Sequence, residues 1–100
     1  MDYPESIEEI EEVTISRPDK DSNGKFAEEK KLNEKEIREL LEAIRKSKPI
    51  GPTKFYSDYF IFFKTNEGEN KRIRVNGNTI KGYKNDLSYE FNPPTFLNEF

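Results

Sequence analysis

The sequence predicts an α+β domain in which one amphipathic helix packs on an antiparallel sheet of about four strands. Three observations carry this expectation: several helix-start signals that coincide at Asn33, a change to two-residue apolar alternation beyond Thr53, and the hairpin dipeptide Asn76-Gly77. The expected order is β-α-β-β-β-β, with a short helical turn at the C-terminus.

A chain of 100 residues is long enough for one modest core. Apolar residues make up only 32% and charged ones 37%, a balance that leans towards disorder. Thirteen aromatics oppose it, and most of them follow residue 55, so the core is expected in the C-terminal half. Residues 1–9 read as a loosely ordered acidic N-terminus, and 10–100 as a single domain.

The first element is contested by two patterns. Ser6 with Glu9 imitates a capping box, and Ile7, Ile10 and Val13 are spaced as a helical stripe. Glu11, Val13 and Ile15 alternate with Glu12, Thr14 and Ser16 as a strand does, and Val13-Thr14-Ile15 is β-branched throughout. A strand over about 10–16 is the expectation, because Arg17-Pro18 ends it cleanly. Residues 18–31 are polar and rich in turn formers, which predicts a loop.

The helix follows. Asn33 is a favourable N-cap, Glu36 completes a capping box, and Leu32 with Ile37 fits a hydrophobic staple. Ile37, Leu40, Leu41 and Ile44 form its apolar stripe, while Glu34 with Arg38 and Glu42 with Lys46 are favourable i, i+4 pairs. Pro49, Gly51 and Pro52 stop it.

Tyr59-Phe60-Ile61-Phe62-Phe63 is apolar on both faces and reads as a central strand. Arg72-Ile73-Arg74-Val75 alternates charge with β-branched residues, and a type I′ turn at Asn76-Gly77 would place Val75 opposite Asn78, Arg74 opposite Thr79, Ile73 opposite Ile80 and Arg72 opposite Lys81. Ile73, Val75 and Ile80 then share the core face, and Arg72, Arg74 and Lys81 the other. Leu87, Tyr89 and Phe91 alternate as a last strand, and Thr95 to Phe100 forms the terminal turn.

Function is approached mainly by exclusion. With no histidine and no cysteine, a zinc site and the common nucleophile–base pairs cannot be assembled, and disulfides are absent. The carboxylates lie among bases or in a run without apolar neighbours, a poor setting for general acid catalysis, so no enzyme is expected. No apolar run approaches the roughly 18 residues of a membrane span, and no secretory leader is seen at the start of the chain.

Three features remain as candidates for binding. Asp19, Asp21, Asn23 and Gly24 match the opening of a calcium loop, but Lys30 stands where the bidentate glutamate belongs, so a polar turn competes with a structural calcium site. Arg72, Arg74 and Lys81 form a basic hairpin face of the kind that meets single-stranded nucleic acid, or an ordinary solvated face. The two-sided strand needs a second cover, from this chain or from a partner.

The layout of Ile7 through Val13-Thr14-Ile15, a loop, the helix Glu34 to Lys46, Asp58-Tyr59-Phe60-Ile61-Phe62-Phe63 and a closing Tyr89-Glu90-Phe91 resembles the mature domains of small uncharacterised lipoproteins of Gram-positive bacteria. The resemblance covers most of residues 7–97, and the chain departs from that family's pattern in having no lipobox cysteine. It implies an extracytoplasmic, non-enzymatic role. The expected function is a non-catalytic binding or inhibitory module that works through protein contacts of a sheet face, with Tyr59, Phe60, Phe62, Arg72, Arg74 and Lys81 as its residues and no cofactor. The alternatives are single-stranded nucleic-acid binding at the basic hairpin and calcium binding within 19–29.

Overall fold

A computed structural model of the chain describes residues 3–18, 26–52, 56–82 and 87–99. Its strands are β1 (Ile10–Pro18), β2 (Phe26–Lys31), β3 (Lys48–Pro52), β4 (Tyr59–Thr65), β5 (Asn70–Asn76), β6 (Thr79–Gly82) and β7 (Leu87–Glu90), with one helix, α1 (Glu34–Arg45), between β2 and β3. The class is the expected α+β, but the sheet is larger than expected. All seven strands join antiparallel neighbours in the order β2-β1-β4-β5-β6-β7-β3.

The two unforeseen strands occupy the two sheet edges. β2 falls in the expected loop 18–31, and its Ala, Glu and Lys are poor strand formers. It forms because β1 presents a row of backbone donors and acceptors, taken up from Thr14↔Lys31 to Pro18↔Phe26. Charged residues at such an edge also resist pairing with another chain. β3 falls on the expected helix stop. Proline is tolerated at a sheet edge, and the register shifts between Pro49 and Gly51, where Gly51 takes φ +88.

Near residue 10 both competing patterns have a basis. Ser6 caps a 3-10 turn at Ile7–Glu9, accepting from the Glu8 amide, and the chain then runs straight into β1. Residues 3–9, expected to be loosely held, carry Tyr3 and Ile7 packed against the core, and the side-chain amide of Asn66 donates to the Glu8 carbonyl.

α1 starts as its local signals require. The Glu36 amide donates to Asn33 Oδ1 at 2.9 Å, and the Asn33 amide donates to Glu36 Oε1 at 3.0 Å. The other oxygen of the Glu36 carboxylate meets Lys30 Nζ of β2 at 2.9 Å, and that ammonium lies 5.5 Å from the Phe96 ring centre. One carboxylate thus joins the helix cap to the edge strand, and the same lysine reaches the C-terminal 3-10 turn Thr95–Glu99.

The stripe Ile37, Leu40, Leu41 and Ile44 is buried in one cluster with Val13, Ile15, Tyr59, Ile61, Phe63, Ile73, Val75 and Ile80. Leu32, Phe91 and Leu97 close that cluster at its margins.

The β5–β6 turn differs from expectation by one step. Its loop is Gly77-Asn78, so Asn76 faces Thr79, Val75 faces Ile80, Arg74 faces Lys81 and Ile73 faces Gly82. Gly77 takes the left-handed φ of +55. Asp58 Oδ2 accepts from the Gly77 amide at 3.1 Å, and the Asn76 side chain donates to the Tyr56 carbonyl, which together hold the turn to the entry of β4. Moving the turn one residue slides the pairing by two, an even number, so every side chain keeps its predicted face.

Two outcomes follow for stability. The hydrogen bond from Lys30, then the Asn33 amide, hold the Glu36 carboxyl below its ordinary pKa. A carboxyl lowered in the folded state contributes stability above its unfolded pKa, and that contribution is lost as pH falls through the folded value. The stability gap between wild type and Glu36→Gln, read from urea midpoints, should therefore narrow between neutral pH and about pH 3. A side chain at Gly77 would meet nothing within 4 Å, so its cost is conformational. Gly77→Val should lose about 1–2 kcal/mol in urea unfolding and Gly77→Asn clearly less, since asparagine visits this region more readily.

Candidate binding face

The pleat of β4 sorts its side chains into two sets. Tyr59, Ile61, Phe63 and Thr65 are buried on the side that α1 covers, whereas Phe60 and Phe62 are half-buried on the other. Phe60 lies opposite Ser16 of β1 and Arg74 of β5, and Arg74 lies opposite Lys81 of β6, which in turn faces Ser88 of β7. One row across five strands therefore reads Ser16, Phe60, Arg74, Lys81, Ser88. Beside it runs a second row, Thr14, Phe62, Arg72.

The rings of Phe60 and Phe62 are 6.0 Å apart and tilted by 36°. The Arg72 guanidinium carbon sits 5.4 Å from the Phe60 centroid and 5.9 Å from that of Phe62, cation–π range for both. A guanidinium that stacks through its plane keeps its N–H donors at its edge, so stacking and carboxylate recognition are compatible on one arginine. Arg74 and Lys81 stand directly opposite each other across the β5–β6 pair, which places two cations side by side on this face.

Of the six residues expected to meet a partner, five share this face. Tyr59 does not: it is 6% exposed on the α1 side, and burial pushes its phenol up to about 12. The reason is parity, since a residue one step from Phe60 must point the opposite way. Ser16 and Ser88, buried at the two ends of the row, were missed, although Ser16 follows the alternation of Thr14 in β1. Asp58, which ties the entry of β4 to the hairpin turn, enters the sequence reading only as the first residue of the segment Asp58 to Phe63.

The proposed calcium ligands Asp19, Asp21 and Asn23 lie outside the described residues. Among the described residues no group of three or more acidic side chains could hold a metal ion, and no helix is long and apolar enough to cross a membrane. The Glu42 carboxyl, like that of Glu36, sits below its ordinary pKa, held chiefly by its hydrogen bond from Arg45 and then by Lys46. Those shifts run opposite to what a general acid needs.

Clefts among the described residues lie elsewhere on the molecule. One of about 760 Å³ separates the C-terminal half of α1 from the segment Phe91 to Thr95, with charges of both signs at its rim. Another of about 410 Å³ lies between the segment 3–9 and the β4–β5 turn, with Glu8, Glu9, Glu67 and Glu69 among its lining residues. No family model, no curated protein and no solved structure matches the chain.

The division of β4 into two faces has an energetic signature. Ile61→Ala removes a side chain with no exposure and should cost about 2–5 kcal/mol. Phe62→Ala on the other face should cost about 1 kcal/mol. Urea denaturation of the two variants measures the difference, and equal costs would mean that both faces of β4 are sealed.

Proposed function

We propose that the protein is a non-catalytic binding or inhibitory module that engages a protein partner through the face of β4, β5 and β6 that α1 leaves uncovered. Phe60 and Phe62 act as apolar anchors, and Arg72, Arg74 and Lys81 as the charged part of the surface. The observation that carries the proposal is the single assembly formed by two half-exposed phenylalanines and three cations on adjacent strands. Aromatic residues and arginine are enriched where protein interfaces hold their binding energy.

The resemblance to mature lipoprotein domains supports an extracytoplasmic setting for that contact. A single-stranded nucleic acid is the competing occupant, with bases on the rings and phosphates on the cations. The position of Arg72 favours protein, since a stacked base would have to displace its guanidinium from both rings.

The test is affinity capture from cells that make the protein, with wild type, Phe62→Lys and Arg74→Glu as baits after each has been shown to fold by circular dichroism. The protein captured by wild type is then purified and titrated by calorimetry. Each substitution should weaken it by about tenfold or more, roughly the loss of one interface anchor. Equal affinity for all three baits would overturn the proposal. Tighter binding of a thymidine oligonucleotide than of the captured protein, at low salt, would assign the face to nucleic acid instead.

A further inference from the structure

The segment ahead of β1 is tied to the sheet differently from the strands. β1 pairs with β4 in regular register from Glu12 to Ser16, but the register shifts between Ile10 and Glu12. A bulge of this kind bends the strand and interrupts its ladder. Residues 3–9 therefore lie beyond the regular pairing, as a small unit whose 3-10 turn is capped by Ser6 and closed by the Glu9 amide on the Ser6 carbonyl at 3.0 Å.

Asn66 fastens that unit at both of its last two carbonyls. Its amide donates to the Glu9 carbonyl at 2.9 Å, and its side chain donates to the Glu8 carbonyl. The β4–β5 turn that carries Asn66 is itself firm, since the Gly68 amide bonds the Thr65 carbonyl and the Glu69 amide bonds the Thr65 hydroxyl, each at 3.0 Å. Pro4 is buried, and Tyr3 and Ile7 pack against the core. These contacts hold the segment down.

The two surfaces nevertheless leave the cleft of about 410 Å³ between them, with Glu8 and Glu9 on one side and Glu67 and Glu69 on the other. Lys71 is the ammonium among them, 3.9 Å from Glu69. Four carboxylates with one ammonium give a net repulsion across the gap. Hydrogen bonds and apolar contacts thus close the segment against charge.

We infer that residues 3–9 form a strap that opens as a unit about the bulge at Ile10–Glu12, with Asn66 as its clasp and ionic strength setting how far it is closed. Opening lifts Tyr3, Pro4 and Ile7 from the core and bares apolar surface at that end of the sheet, while β1 stays paired from Glu12 onward. Salt, which weakens a surface ion pair, here screens repulsion and closes the strap.

Amide hydrogen exchange of the full chain, followed by NMR at fixed pH, separates local opening from global unfolding. The amide at position 66 reports the strap, and that of Leu32, bonded to the Val13 carbonyl at 2.9 Å, reports the sheet. In low concentrations of urea, exchange at position 66 should be faster than at Leu32 and much less dependent on urea, because opening a strap exposes little surface. Exchange at position 66 should slow severalfold between about 0.01 M and about 1 M sodium chloride, as the screening length falls from about 30 Å to about 3 Å. Asn66→Ala, which keeps the reporting amide, should speed its exchange about fivefold, the worth of one net hydrogen bond. Glu67→Gln combined with Glu69→Gln should slow it at low salt and flatten the salt response.

A shared urea dependence of the two amides would overturn the inference, because the strap would then open only with the whole fold. Exchange at position 66 that ignores salt, a salt response that survives the paired Gln substitutions, or no effect of Asn66→Ala would overturn it as well.

Discussion

The pleat of one interior strand governs the rest of this molecule. β4 is apolar at every position from Tyr59 to Phe63, so its side chains commit large rings and branched chains to both faces of the sheet. The side bearing Ile61 and Phe63 meets Ile15 and Val13 across one neighbour and Ile73 across the other, and α1 closes over it. The side bearing Phe60 and Phe62 receives the cations of β5 and β6. Because alternation is a property of the backbone, the core cannot be built without also building that second face.

α1 is held to the sheet by more than its apolar stripe. Glu36 serves as capping partner and as ion-pair partner of Lys30, joining the start of the helix to the outermost strand on that side, and Lys30 extends the contact to Phe96. Edge strands are the least securely held parts of a sheet. Here a short charged edge is anchored by one carboxylate already required by the helix. The opposite edge is protected differently, by prolines and a bulge in β3 that suit neither a continuous ladder nor strand addition by a second chain.

The proposed binding face follows from the same economy of position. Arg72 stands within cation–π range of both rings, which places a charged group beside the aromatic surface of β4. Asp58 and the Asn76 side chain fix the hairpin turn against the start of β4, which keeps the three strands of the face in register.

Much of this was legible in the amino-acid order. The capping box at Asn33 is a contact between residues three apart, and local chemistry suffices to specify it. The shared face of Arg72, Arg74 and Lys81 depends only on parity along strands, which even a misplaced hairpin turn left intact.

What only the tertiary structure decided was longer in range. β2 and β3 have sequences that argue against strand formation, and they became strands because β1 and β7 offered backbone hydrogen bonds that had to be satisfied. Likewise, nothing within β4 distinguishes Tyr59 from Phe60 as core or surface. That assignment came from the side on which α1 settled, a choice made by packing between elements distant in the chain.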